Sequence, residues 1–548
     1  MSNFQPVKVF VPSNPSDFLI ANSQEEHIRH IVSFAARQIT PAYEPYFNYN
    51  NVFADKFFDS LRPHQKASLV NSTSCDIGQF ILPTSTGKTR AGISILLKDA
   101  LEKHNLKKSG VYLIGNHRLT LSEQLIEETI KTFKNCGLLF DVLLVNSDKN
   151  DNTDFQLPID EFEVLSTTTE DEIQRFHRIS RKNNKHLLIV STYHSINRLK
   201  DLYIDIAVFD EAHELTKDKF SENLKDVTNI QRKYFFTATR KTINTTNGMG
   251  NEFLFGKVLY SFPPKEAIEL GEMCSPKLHI VKCDNETANS DNMSIKTTID
   301  AFAVHQSNVS RSNPGKLGAK MLISTCGTQQ MYDIYNNPEF QKYCKENNIN
   351  VFTFSSSDDF GYYYNFRKTT RKIVYDELKT LKDKDSEKAI ILHYDILSEG
   401  IDVPGITGVA IYRQMSLSKM LQTIGRCLRL HKDDRSRLYS KEMLPSETDK
   451  FIKPCGWVIL PEYFNIKFDE MEELILELYS EYKLKDEDIW EDNSPSGMKT
   501  FLVQTVTEDD VTEKTDKNYN TTHIIKSIQD KMVRDCISSM SIMDFRRM

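Results

Sequence analysis

The chain has 548 residues, 39% of them hydrophobic and 26% charged, the profile of a globular protein with room for about three to four domains. Its net charge of −7 does not mark a nucleic-acid binder, but residues 466–492 hold eleven acids against three bases, so the rest is near +1 and a local basic groove stays open. No run reaches the ~20 apolar residues of a membrane span, the first residues lack a secretory pattern, and the nine cysteines form no C-x-x-C pair, which argues against a zinc ribbon or disulfide framework and for a reducing, intracellular setting rather than secretion.

Residues 1–60 read as a small leader. Ser23 with Glu26 fits a capping box that starts a helix running to Arg37, and Pro41 and Pro45 then indicate loop. At Leu61-Arg62-Pro63-His64-Gln65 the pattern changes. The Gln65 amide donates and accepts at once and so suits an adenine edge; taken alone, a helix-starting proline followed by a solvent-facing glutamine is the better reading.

Gln79-Phe80-Ile81 predicts a buried strand and Arg90 to Leu97 a helix. Between them lies Leu82-Pro83-Thr84-Ser85-Thr86-Gly87-Lys88-Thr89. A strand, a tight loop and a helix start form a phosphate site, because backbone N–H groups and the positive helix end face the anion. Lys88 suits the β/γ-phosphates and the Thr89 hydroxyl suits Mg²⁺. The full pattern has a further glycine where this chain has Leu82, so the match is to the Gly-Lys-Thr core and its context.

Apolar strands then alternate with helices. Strands are predicted at Val111–Gly115, Val142–Val145, His186–Val190, Ile204–Phe209 and Tyr234–Phe236, with a helix over Ser122–Phe133 and a polar, acidic segment over 148–183. Continuous apolar strands separated by helices mean a parallel sheet covered on both faces. The strand ending at Phe209 runs into Asp210-Glu211-Ala212-His213. Ligands of open parallel sheets sit at the carboxyl ends of strands. An acid pair there is often a simple helix cap; about 120 residues after a phosphate loop it reads as catalytic, with Asp210 on Mg²⁺ and Glu211 on the attacking water. His213 is placed to sense the γ-phosphate. Thr237 and Thr239, closing the next strand, have hydroxyls suited to bonding His213 and linking nucleotide state to domain motion.

A second α/β domain is predicted from strands at Met321–Ser324, Val351–Phe354, Ala389–Leu392 and Val409–Tyr412. Arg426 and Arg429 lie three apart on a predicted helix and share a face, and two guanidinium forks fit triphosphate oxygens; alone, two such arginines read as a solvated face, but the preceding Gly400-Ile401-Asp402 and the Gln422-x-x-Gly425-Arg426-x-x-Arg429 pattern displace that reading. Phe468 to Tyr482 predicts an amphipathic helix packed on the preceding domain, and 486–522 reads as polar and lacking fixed structure.

As a set, Gly87-Lys88-Thr89, Asp210-Glu211-Ala212-His213, Thr237-Ala238-Thr239, Gly400-Ile401-Asp402-Val403-Pro404 and Gln422-Thr423-Ile424-Gly425-Arg426-Cys427-Leu428-Arg429 resemble the motifs of superfamily 2 DEAH/DExH-box helicases. Leu61 to Gln65 resembles their glutamine motif, and Gly256 to Tyr260 the hinge of the branch that contains type I and type III restriction motors and phage and viral helicases. The resemblance implies an α/β fold of two tandem RecA-like parallel-sheet domains, 61–268 and 269–465, with the leader before them and a helical C-terminal extension, 466–548, behind. It implies ATP and Mg²⁺ bound through Gln65, Pro83, Thr84, Ser85, Thr86, Gly87, Lys88, Thr89, Gly400 and Asp402. Arg426, Arg429 and Gln422 would act from the second domain, and His117, Arg118, Ser191, Thr192 and Thr325 would contact a nucleic-acid backbone. The departures are Ser85, where many members have glycine, and Arg240, where proline is common; neither removes a group that hydrolysis needs. The implied activity is an ATP-driven helicase or translocase, with DNA favoured over RNA on the branch resemblance alone. Other readings are an ATP-switched clamp that recruits a protein partner through the C-terminal extension, and an RNA remodeller.

Overall fold

Two stacks of parallel strands set the architecture from residue 61 onward, and both arise from apolar runs buried on two faces. The computed structural model describes residues 51–117, 119–146, 162–241, 247–282, 292–312, 317–355, 361–394, 405–413, 415–462 and parts of 474–502. The chain divides after Ser60. Of the first unit, the described part is helix α1 (Val52–Asp59), whose N-terminus is capped by the Asn51 side chain. The predicted Ser23/Glu26 cap lies outside the described residues.

The first sheet contains β1 (Ile77–Ile81), β2 (Val111–Asn116), β3 (Phe140–Val145), β4 (Val164–Ser166), β5 (His186–Thr192), β6 (Ile204–Asp210), β7 (Ile230–Thr237) and β8 (Lys257–Ser261). Their order is β4-β3-β5-β2-β6-β7-β1-β8, with every neighbour parallel. Helix α2 (Pro63–Asn71) precedes β1; parallel neighbours need crossovers, supplied here by α3 (Lys88–Asn105), α4 (Leu119–Asn135), α5 (Glu170–Lys182), α6 (Asp218–Asp226) and α7 (Glu252–Phe255), before α8 (Pro264–Glu269) leads away. Every residue of β2, β3 and β5 is buried. Phe235 stacks on Phe209 at 4.9 Å in the core, and each such buried aromatic contributes about 1.5–3 kcal/mol. The Gly256–Tyr260 segment forms β8 beside β1. The two strands approach so closely that a Cβ on Gly78 would stand 2.3 Å from Leu259 Cγ.

The second sheet contains β9 (Ser275–Lys282), β10 (Lys320–Ser324), β11 (Ile349–Phe354), β12 (Tyr362–Tyr364), β13 (Arg367–Thr369), β14 (Lys388–His393), β15 (Gly408–Ile411), β16 (Cys455–Glu462), β17 (Ile489–Asp492) and β18 (Thr500–Leu502). The order is β13-β12-β11-β14-β10-β15-β16-β9-β17-β18, parallel from β11 to β17 and antiparallel at both ends. Its helices are α9 (Asn292–Ser312), α10 (Thr328–Asn336), α11 (Pro338–Glu346), α12 (Arg371–Thr380), α13 (Leu417–Cys427) and α14 (Lys432–Tyr439).

Every strand predicted from an apolar run is present. The sequence reading departs from the structure in three places. The described part of the polar segment 148–183 contains β4 and α5, whose Ile173 and Phe176 are buried on one face of an otherwise charged helix. Residues 486–522 read as unstructured, yet Ile489–Asp492 joins the second sheet beside β9 and pairs with Thr500–Leu502; backbone pairing does not require an apolar run. The short hairpin β12–β13 has no apolar run to announce it either. Of the predicted helix at 468–482, the described residues between 474 and 482 are helical and bury Leu474, Ile475, Leu478 and Tyr482. Among the described residues, no helix is long and apolar enough to cross a membrane.

Candidate active site

β1 delivers the loop Leu82–Gly87, and α3 begins at Lys88. Leu82 N donates to Thr237 O (2.9 Å), tying the loop entrance to the end of β7. Ser85 (φ +75°) and Gly87 (φ +81°) are both left-handed, so the chain turns sharply twice within three residues. Thr86 Oγ1 donates to Pro83 O (2.7 Å) inside the turn. Thr89 is the second residue of α3.

Three side chains of the segment before β1 converge on one carbonyl of this loop. His64 Nε2 (2.7 Å), Gln65 Nε2 (3.2 Å) and Arg62 (3.3 Å) all donate to Thr86 O. Gln65 Nε2 also reaches Gly87 O (3.1 Å), while its Oε1 accepts from Arg62 N (3.0 Å). Gln65, read as an adenine contact, therefore holds the phosphate loop through its Nε2 and its own segment through its Oε1 in this conformation. His64 stacks on Phe262, and burial draws its pKa down to about 4, so the ring is neutral and donates from Nε2. Arg62 continues to Glu272 (3.2 Å), which accepts in turn from Tyr439 of α14.

The acid pair lies opposite Lys88. Glu211 has a left-handed backbone (φ +52°) between β6 and a 3-10 turn, and this turns its carboxylate toward Lys88 Nζ (3.6 Å). Glu211 N donates to Asp210 Oδ1 (3.0 Å), and Tyr193 Oη to Asp210 O (2.6 Å). Burial and the adjacent Glu211 charge push Asp210 up to about 6. Burial opposes the Glu211 charge as well, but Lys88, His213 and His117 more than offset it and hold Glu211 below its ordinary value. The two carboxyls are thus pushed in opposite directions, with Asp210 the one that holds a proton more readily. His213 Nδ1 meets Thr237 Oγ1 at 3.0 Å, and Thr237 Oγ1 donates to Thr239 O (2.8 Å).

Helix α13 of the second sheet closes over these groups. Gln422 Nε2 lies 3.4 Å from both Glu211 Oε2 and His213 Nε2. Ser85 Oγ donates to Gly425 O (2.5 Å) and accepts from Arg429 Nε (3.2 Å). Thr239 Oγ1 meets Ser418 Oγ at 2.9 Å. Arg426 is half-buried and close enough to Glu211 to feel its charge. Burial lowers both Arg426 and Arg429 to about 10, which leaves them cationic at neutral pH. α13 approaches so closely that a Cβ on Gly425 would stand 1.6 Å from Thr84 Oγ1.

The structure thus brings together Ser85, Lys88, Glu211, His213, Gln422, Arg426 and Arg429. Thr84, Thr86, Gly87, Thr89, Asp210, Thr237 and Thr239 line the same place, whereas three of the expected nucleic-acid contacts are set apart. Ser191, Thr192 and Thr325 are buried, and the Thr325 hydroxyl donates to Gly327 O and His393 O (both 3.1 Å). His117 is near enough to Glu211 to lower its proton affinity. Arg118, Gly400 and Asp402 lie outside the described residues. Arg240, the departure from proline, donates to the buried Gln79 Oε1 (3.1 Å) and to Met249 O (3.1 Å). The sequence reading missed Arg62, His64, Glu272, Ser418 and the contact of Gly425 with Thr84. His64 lies within a stretch already singled out, but its partner is 22 residues away and no local pattern names it.

The DEAD/DEAH box helicase family model matches residues 62–246, and the helicase conserved C-terminal domain matches residues 318–431. No curated protein sequence is significantly similar to the chain. Among solved structures, the ATP-dependent Type ISP restriction-modification enzyme LlaBIII bound to DNA is similar over 78% of this chain, with TM-score 0.56 and 16% identity. A nuclease-deletion mutant of the Type ISP enzyme LlaGI, in complex with a DNA substrate mimic, has TM-score 0.50 and 16% identity over 78% of this chain. The matched part spans only 30% and 29% of those two chains, so the likeness is one of fold. The two family models together cover more than half of the sequence, and the chain belongs to the DEAD/DEAH-box helicases of superfamily 2, enzymes that use and hydrolyse ATP.

Proposed function

We propose that the chain is a helicase or translocase that converts ATP hydrolysis into movement along DNA. The observation that carries this reading is the meeting of Gln422, Arg426 and Arg429, from the second sheet, with Ser85, Glu211 and His213, from the first. ATP would lie over Lys88 and the amides at the start of α3, with the two arginines on the γ-phosphate. Glu211, held ionised by Lys88 and His213, would orient and deprotonate the attacking water. His213 and Gln422, linked to Thr237, would report the state of the nucleotide to the second domain.

Thr89 and Asp210 would hold Mg²⁺. A hydroxyl and a carboxylate are hard oxygen donors that suit this ion, and a cation there would relieve the crowding that pushes Asp210 up to about 6. Bound metal would supply charge neutralisation at the β- and γ-phosphates.

Closure on ATP and opening after hydrolysis would alternate the grip of the two domains on a nucleic-acid backbone. His117, Arg118, Ser191, Thr192 and Thr325 are the proposed backbone contacts. DNA is preferred as the track because the two similar structures both carry DNA or a DNA mimic. An intracellular setting agrees with seven free cysteines among the described residues. A second reading, an ATP-switched clamp that recruits a protein partner, draws on the acidic stretch 466–492.

The test is steady-state ATP hydrolysis with no nucleic acid, single-stranded DNA, duplex DNA, branched DNA or RNA, beside Lys88→Ala and Glu211→Gln. Stimulation by one DNA form, absent from both variants, is expected. Stimulation by RNA alone would move the protein to RNA remodelling, and hydrolysis indifferent to every nucleic acid would overturn the motor reading.

A further inference from the structure

The last carbonyls of a helix have no partner within it. Where α13 ends, three consecutive carbonyls each receive a donor from another segment. Cys274 N donates to Leu428 O (2.8 Å). Lys453 Nζ donates to Cys427 O and to Arg429 O, both at 2.6 Å.

Lys453 is buried, with the thiols of Cys274, Cys427 and Cys455 near its ammonium. Among the described residues, no carboxylate oxygen lies within ion-pair distance of it. Burial works against its charge, so an apolar side chain would fill this space without that desolvation cost. What an apolar side chain cannot supply is two charge-assisted hydrogen bonds at a negative helix end.

The segment carrying Lys453 is itself fixed. Asp434, fully buried in the first turn of α14, accepts from Ile452 N (2.8 Å) and Lys453 N (2.9 Å). β16 then approaches α13 so closely that a Cβ on Gly456 would stand 2.5 Å from Cys427 O. On the other side, Arg429 Nε reaches Ser85 Oγ. An unbroken path of bonds runs from Asp434 through the 452–453 amides, the Lys453 ammonium and the Arg429 backbone to the phosphate loop.

We propose that Lys453 is a positioning residue for Arg426 and Arg429: its ammonium fixes the end of α13 so that both guanidinium groups are aimed into the cleft, and Asp434 fixes Lys453. The inference rests on the reading of the two arginines as γ-phosphate contacts. A positioning residue acts on the chemical step more than on ground-state binding of ATP.

The experiment compares kcat and KM for ATP, together with the thermal midpoint, for the full chain and for Lys453→Met, Asp434→Asn and Arg429→Ala. In Lys453→Met, kcat is expected to fall by about tenfold or more, with KM within about twofold and the midpoint held within a few degrees. If Arg429→Ala loses turnover while Lys453→Met keeps it, the role of Lys453 is overturned and the arginine reading stands. If Arg429→Ala turns over normally, both fall. If KM rises in Lys453→Met as much as kcat drops, alongside a large fall in midpoint, Lys453 is only scaffold and the inference is overturned. Should Lys453→Met not be recovered folded, Asp434→Asn reads the same quantities: a severalfold loss of kcat at constant KM is expected, and an unchanged kcat overturns the inference.

Discussion

Gly425→Ala isolates the docking of α13 on the phosphate loop. Alanine is the better helix former by about 1 kcal/mol, so the substitution favours α13 taken alone. The added Cβ would nevertheless stand 1.6 Å from Thr84 Oγ1 and 2.7 Å from Thr84 Cβ. Rotation about χ1 moves the hydroxyl but leaves Thr84 Cβ in place. Restoring a carbon–carbon contact of about 3.5–4.0 Å therefore requires α13 and the loop to separate by roughly 1 Å. That displacement breaks the Ser85–Gly425 bond, now 2.5 Å, and takes Gln422 beyond its 3.4 Å reach to Glu211 and His213. A 1 Å misplacement of catalytic groups costs about 10²-fold in rate. The assay is steady-state ATP hydrolysis together with the thermal midpoint. We expect kcat to fall by about two orders of magnitude while the midpoint stays level or rises, and Thr84→Gly, which removes both clashing atoms, to restore part of the loss. Turnover by Gly425→Ala close to that of the parent would refute the docking geometry as the active one.

Arg240→Ala leaves the buried Gln79 Oε1 without its guanidinium donor, which costs about 1–3 kcal/mol and lowers the thermal midpoint; an unchanged midpoint would show that the contact is dispensable. His186 is buried with its pKa lowered to about 4, chiefly by burial, and accepts from Gly110 N at Nδ1. Its folded value lies below the unfolded 6.5, so the native state binds fewer protons. The associated stability, at most about 3 kcal/mol, is present above pH 6.5 and is lost as pH falls from 6.5 to 4. His186→Asn keeps an acceptor for Gly110 N without the titration, and should flatten the fall in unfolding free energy between pH 7 and pH 4; an equal slope in both proteins would contradict the assignment.

The fold was legible wherever one residue type repeats for a physical reason. Val111–Gly115 and Ala389–Leu392 are continuous apolar runs because parallel strands are covered on both faces, and the carboxyl ends of such strands mark where Lys88 and Glu211 meet. What stayed hidden depends on partners distant in the chain. The meeting of Thr86 O with Arg62, His64 and Gln65 exists only after α2 has docked on the phosphate loop, and that of Gly425 with Thr84 only after both sheets have formed. The Gln65 amide illustrates the limit: its chemistry suits an adenine edge and two backbone carbonyls equally, and only three-dimensional placement separates the two. Ile489–Asp492 joins the second sheet through main-chain bonds, which leave no signature in side-chain composition.

β8 is the last strand of the first sheet, and it lies parallel to β1, the strand that carries the phosphate loop. Tension transmitted from the second half of the protein would enter β8 at its carboxyl end and act along the strand axis. The bonds to β1 are then loaded together, in shear, instead of opening one after another as a peeled edge would. Gly78 lets Leu259 lie against β1 and keeps that joint tight. In the motor proposed above, the connection that would take the recoil of each ATP cycle is thus made in the geometry that best resists being pulled apart, beside the strand that carries the phosphate loop.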